Sequence, residues 1–216
     1  MSSVKRTVRL LVLTALACVG MATVASAAQA EATWVVKGEV LPEGKEYPLT
    51  CTQALQEQPM QLTSSVLGAE VKLTAEVECE EWKIVNLAHH AYSTGRFTFN
   101  NVVVDKPVNC EALDFATKAL TGEAVEVPTL PTGLAVHYVP VVGTTVAELE
   151  FLGAECALEG VVAPLSGTVA AEVEPLNVFK EIQPYRFNST AQTDTGSALK
   201  LGKSAALLTG VVDFHF

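Results

Sequence analysis

After Arg9 the chain has no cluster of basic residues. Lys5, Arg6 and Arg9 stand together near the start; beyond residue 30, 11 basic residues face 24 acids, a net charge of −13. Such a surface repels phosphate backbones and anionic headgroups, so no nucleic-acid partner is expected. The chain also lacks Cys-x-x-Cys, Gly-x-Ser-x-Gly, a phosphate loop and a dinucleotide fingerprint. Redox, zinc-ribbon, serine-nucleophile and nucleotide readings therefore have no motif to rest on. No Asp-x-Asp-x-Asp-Gly loop occurs, and 20 of the 24 acids are Glu. Calcium loops of that type need close-set Asp oxygens.

What is present begins with a leader. Lys5, Arg6 and Arg9 precede the apolar run Leu10 to Val24, which is followed by Ala25-Ser26-Ala27 and Ala28-Gln29-Ala30. A basic start, an apolar middle and an Ala-x-Ala exit make up a secretory signal peptide, expected over residues 1–30. The run is interrupted by Gly20 and falls short of the ~20 residues of a spanning helix, which disfavours an uncleaved anchor. Acylation at Cys18 would need a lipobox, but Ala15 stands where Leu is usual. The remainder, 31–216, is expected to be a single all-β domain, with Pro128 to Gly133 as its one candidate hinge.

Four cysteines lie past the leader: Cys51, Cys79, Cys110 and Cys156. An even number in an exported chain signals a disulfide framework. Of the three possible pairings, neighbours in chain order give Cys51–Cys79 and Cys110–Cys156.

The clearest secondary-structure signal is Glu70 to Glu80. Val71, Leu73, Ala75, Val77 and Cys79 alternate with Glu70, Lys72, Thr74, Glu76, Glu78 and Glu80. A period of two means a strand with one buried and one wet face. Shorter strands are expected at Thr33–Leu41, Tyr47–Ala54, Gly95–Val104, Gly133–Val142, Thr144–Leu152, Gly167–Glu174, Tyr185–Asn188, Ala198–Leu201 and Val211–Phe216. Asn100-Asn101 breaks the phase of its strand, as a bulge would. Glu111 to Thr121 contains helix formers but also alternates. Short echoes beginning Leu120-Thr-Gly, Leu165-Ser-Gly and Leu208-Thr-Gly favour strand there, as if one unit were reused. The expected architecture is an antiparallel β-sandwich or barrel-like domain with disulfides, preceded by a signal-peptide helix.

Several of these stretches carry a resemblance. Ala32-Thr-Trp34, the run from Cys156 to Gly167, Ser197 to Leu201 and Leu208-Thr-Gly210 resemble uncharacterised exported β-rich proteins of high-GC Gram-positive bacteria. The likeness spans most of the chain through turn and strand residues, and it departs at Asn101, where such proteins tend to carry a cysteine. It implies an all-β, extracytoplasmic protein and no particular activity.

Candidate chemistry is sparse. Glu76, Glu78 and Glu80 share a strand face at roughly the spacing of paired-carboxylate glycosidases. A general acid needs a shielded carboxyl, so a solvated face is the simpler expectation. Adjacent His89 and His90 would point to opposite faces of a strand and could not chelate one ion. His215 shares a face with Asp213, and a zinc site would need His89 or His90 to meet His137 and a Glu. The Asn86–Gly95 stretch, read as a loop, gathers His89, His90 and Tyr92 as candidate binding residues, and Pro128–Gly133 is a second contact region. No catalytic residue, metal or cofactor is assigned. The final strand, ending on Phe216, also fits a small outer-membrane barrel, but aromatics at 6 % are too few for two interfacial girdles. The expected role is binding, adhesion or structure at the cell surface or outside the cell, toward an extracellular or cell-envelope ligand. The membrane enters only through the leader unless the outer-membrane barrel holds, and a secreted hydrolase with a Glu or His/Glu site is the other alternative.

Overall fold

The computed structural model describes residues 32–54, 59–88, 90–174 and 181–216; the expected leader lies outside them. In chain order, Val35–Val36 (β1) and Glu39–Val40 (β2) form a short hairpin. Tyr47–Pro48 (β3), Thr50–Gln53 (β4) and Met60–Val66 (β5) lead into Ala69–Leu87 (β6) and His90–Lys106 (β7). Glu111–Ala112 (β8) and Phe115–Ala116 (β9) precede Leu120–Glu126 (β10), Leu134–Pro140 (β11) and Thr145–Leu152 (β12). Val162–Gly167 (β13), Val169–Val173 (β14) and Ile182–Phe187 (β15) come before one short helix, Ser189–Asp194 (α1). Leu199–Leu201 (β16), Ser204–Ala205 (β17) and Leu207–His215 (β18) complete the order.

These strands close a circle. β6 pairs with β7, then β10, β11, β14, β15 and β18 follow in turn, all antiparallel. β18 meets both β4 and β5, and each of those pairs back onto β6. The result is a closed barrel of eight strands, with β4 and β5 sharing one position. Closure removes the open edges that would otherwise pair with other chains.

The alternation in β6 sets the inside from the outside. Val71, Leu73, Ala75 and Val77 are buried, while Glu70, Glu76 and Glu78 face water. The phase then flips. Glu80 pairs with Arg96 but Lys83 pairs with Thr94, leaving Glu81 and Trp82 opposite the single residue Gly95. Glu81 takes a left-handed φ of 53° at this bulge, and from there Trp82, Ile84 and Asn86 turn inward. Gly95 makes room for that turn, because a Cβ there would overlap the Trp82 ring and backbone. A second bulge falls at Asn101, φ 52°, where the sequence breaks phase.

Most of the few aromatics gather inside. The Trp82 ring lies 4.5 Å from Phe97, 5.4 Å from Phe214 and 5.8 Å from Tyr138, and Tyr185 lies 4.2 Å from Phe214. Tilted and edge-on pairs of this kind contribute beyond their buried area.

Both ends of the barrel are closed. At the end reached by β6 and the start of β7, the β1–β2 hairpin inserts Trp34, which is buried, with its Nε1 donating to the Tyr92 carbonyl at 2.7 Å. Asn86 holds this plug: Oδ1 accepts from Trp34 N at 2.7 Å, and Nδ2 donates to the carbonyls of Trp34 and Leu41. At the other end a second sheet, ordered β17-β16-β13-β12-β8, lays Val146, Leu165 and Leu199 against the barrel core. Its far face carries Glu148, Glu150 and Lys200.

Several expectations need correction. Thr33–Leu41 is not one strand: Lys37 and Gly38, at φ 53° and 84°, fold it into the β1–β2 hairpin. Glu111 to Thr121 holds two short strands and the start of β10, as expected, but β5 and β13 were not anticipated. The three Leu-x-Gly stretches are not copies of one unit. Leu120 and Leu208 belong to barrel strands and Leu165 to the second sheet, although all three line one cavity. Pro128 to Gly133 is not a hinge. It joins β10 to β11, which stay paired from Leu120↔Pro140 to Glu126↔Leu134, and Leu130 within it is buried.

Two substitutions test this construction. Gly95→Ala should lower unfolding free energy by about 3 kcal/mol in urea titrations, since the added methyl meets both ring and backbone. Asn86→Ala should cost a similar amount, roughly 3 kcal/mol, by leaving buried backbone groups unpaired. It should also shift tryptophan emission to the red as Trp34 becomes wet.

Candidate functional site

The sulfurs join as the chain-order pairing expects. Cys51–Cys79 ties β4 to β6 within the barrel wall, and Cys110–Cys156 ties the segment after β7 to the segment after β12. The Cα separations are 5.1 Å and 4.6 Å, inside the usual range for a bridge. Two disulfides suggest an oxidising, extracytoplasmic environment. Among the described residues no helix is long and apolar enough to cross a membrane.

An eight-stranded barrel can hold one small ligand in its lumen. Among the described residues, buried aromatic and aliphatic side chains fill this lumen. Between the barrel and the second sheet remains a cavity of about 20 Å³ lined by Val77, Phe97, Phe99, Leu120, Val146 and neighbouring apolar groups. That volume accommodates little more than one water-sized sphere. Tyr138 and Tyr185 are fully buried nearby, and burial pushes both phenols well above their ordinary range, so both stay neutral. The Tyr138 hydroxyl and Ser93 Oγ have no hydrogen-bond partner among the described residues.

With the interior occupied, the polar candidates from the sequence are found on the outer wall. The predicted Asn86–Gly95 loop is instead strand: Leu87 pairs with His90, and His90 to Gly95 belong to β7. Alternation along two strands left no long connection to build. His89 lies outside the described residues. His90 and Tyr92 both face outward on β7, their rings 6.0 Å apart.

Register brings His137 near them, the convergence with a Glu considered from the sequence, and identifies that Glu as Glu123. Tyr92 lies opposite Glu123 on β10, and Glu123 lies opposite His137 on β11. His90 Nδ1 approaches Glu123 Oε1 at 3.1 Å. Glu123 was not singled out in the sequence, because nothing local marks it; only the pairing of β7, β10 and β11 brings it between two histidines. His137 is partly buried, and its Nε2 is enclosed without a hydrogen-bond partner among the described residues. Burial holds its pKa below the ordinary histidine value, with the Glu123 carboxylate pulling the other way.

The remaining candidates stay apart from this group. Glu76, Glu78 and Glu80 are exposed, with Asn101 Nδ2 donating to Glu76 at 2.9 Å and Asn100 Nδ2 to Glu78 at 3.4 Å. His215 Nε2 sits 3.1 Å from Thr52 Oγ1 on another part of the wall. Among the described residues no three His, Cys, Asp or Glu side chains form a metal-ligand set. The wall around Tyr92 and Glu123 is a strand surface carrying adjacent aromatic, imidazole and carboxylate groups. It can make directed hydrogen bonds and ring contacts to a partner laid against it.

No protein-family model matches the chain, and neither does any curated protein or solved structure.

The His137 environment gives a pH prediction with a definite sign. Its folded-state pKa is lowered, so below about 6.5 the unfolded chain takes up a proton that the folded chain resists. Stability should therefore fall as pH drops from 7 through this window, levelling off once the folded imidazole is protonated too. Urea midpoints measured between pH 7 and 5 should show a shallower decline in His137→Gln than in the parent protein.

Proposed function

We propose that the protein is exported and works outside the cytoplasm as a rigid binding or structural β-domain whose contacts are made on its outer surface. The observation that carries this reading is the sealed, aromatic-filled barrel beside its two disulfides. An interior without room for a ligand leaves surface complementarity as the means of recognition. The bridges suit a fold that must persist where thiols are oxidised. The leader-like start supplies the route.

The outer wall at His90, Tyr92, Glu123 and His137 is the favoured contact surface toward a cell-envelope or extracellular partner. Tyrosine offers a large, stiff contact area with a polar tip, and the imidazole–carboxylate pair adds direction. A hydrolase is less well supported, since the Glu123–His90 pair lies on an open wall and the stripe from Glu76 to Glu80 is solvated. A membrane barrel is likewise disfavoured. Such barrels turn an apolar band outward and keep polar groups within; here Glu70, Lys72, Glu76 and Glu78 point outward around an apolar core.

Fractionation of the native host, with N-terminal sequencing of the recovered protein, tests the reading. The expected product lies outside the cytoplasm, begins at Ala28 or Glu31 and has no free thiol. Recovery of the full-length chain in the cytoplasm with reduced cysteines would overturn it. Envelope material bound by the purified protein should be lost on Tyr92→Ser together with His90→Ala.

A further inference from the structure

Where β5 turns into β6, Leu67 sits at φ 50° followed by Gly68 at φ 86°. A two-residue turn of this shape favours Asn-Gly, because left-handed backbone is costly for a branched apolar residue. Leu67 is also 84 % exposed. Neither backbone preference nor burial explains a leucine at that position.

The turn forms one wall of a cleft. Opposite it stand Val162 and Pro164 of β13 and the Gly202–Lys203 turn between β16 and β17, while buried Val66, Ala163 and Leu201 make the floor. Ser65 Oγ donates to Ser204 Oγ at 2.9 Å and Gly202 N donates to the Pro164 carbonyl at 2.8 Å, so the two turns are fixed relative to each other. The cleft is open to solvent and offers about 380 Å³, within the range of small-molecule sites. In a chain with ten more acids than bases, its lining has no carboxylate and one charged group, Lys203. No described residue forms an ion pair with that ammonium.

We propose that this cleft binds a single-chain anionic lipid of the fatty-acid type, with the alkyl chain against Leu67, Val162 and the apolar floor and the carboxylate at Lys203. The charge selects the head group: an acidic protein that clears carboxylates from one apolar cleft and leaves a lone lysine there favours an anion. The alkyl chain accounts for the exposed leucine. This site is separate from the His90–Tyr92 wall and does not depend on its role.

Calorimetric titration of the purified protein with dodecanoate, kept below its micelle concentration, tests the proposal. Dodecyltrimethylammonium serves as the charge-reversed probe. Saturable binding of one dodecanoate is expected, tighter than the cation by at least about tenfold. Leu67→Asn, which suits the turn and preserves folding, should weaken dodecanoate by about tenfold or more; Lys203→Gln should erase the preference for the anion. Heat without saturation, equal affinity for both probes, or binding unchanged by both substitutions would each overturn it. So would a lipid-free dimer in sedimentation that Leu67→Asn dissolves, since the cleft would then belong to a second copy.

Discussion

Trp82 can enter the barrel because Gly95 has no side chain to stop it. In β6 the apolar side chains before the bulge fall on odd positions, and without a shift Trp82 would stand in water beside the glutamates. One extra residue at Glu81 turns it inward, where it meets rings from β7, β11 and β18. A bulge also increases local twist, which a small closed sheet requires. The same event therefore supplies curvature and the centre of the core. Asn86, four residues on, then faces the hairpin that seals the end.

Sealing decides what the lumen can do. Open barrels of this strand number use their lumen, and their specificity resides in the residues that line it. Here the lumen holds aromatic rings and the second sheet covers one mouth, so the lumen contributes stability. The outward-facing residues differ in character from place to place around the wall. One region is a carboxylate stripe; another sets Tyr92, Glu123 and His137 side by side. The composition of the chain, rich in acid and poor in aromatics, describes neither region.

What could be read from sequence follows from how local each signal is. The period of two in Glu70 to Glu80 arises because one side of that strand meets water, so it is written in consecutive residues. The disulfides were readable because an even number of cysteines in an exported chain implies bridges, and the chain-order pairing holds because β4 pairs with β6 and β8 with β12. The bulge at Glu81 was not readable, because it depends on Gly95 across the sheet. β5 was hidden by Ser64, which breaks the apolar phase of Met60, Leu62 and Val66, and β13 by Pro164, which reads as a turn residue and lies just outside the β13–β16 register that starts at Leu165↔Leu201. The His90–Glu123–His137 grouping joins three strands, and only their register brings those residues together.

The plug at Trp34 has a geometric consequence. Its ring lies 6.3 Å from that of Phe216, so the first described segment and the last residue meet at one pole of the barrel. The Leu67–Gly68 turn, at the opposite end of β6, marks the other pole. A circular permutant that links these adjoining ends and opens the chain elsewhere should keep every strand partner. A fusion joined at Phe216 would leave the distant pole unobstructed.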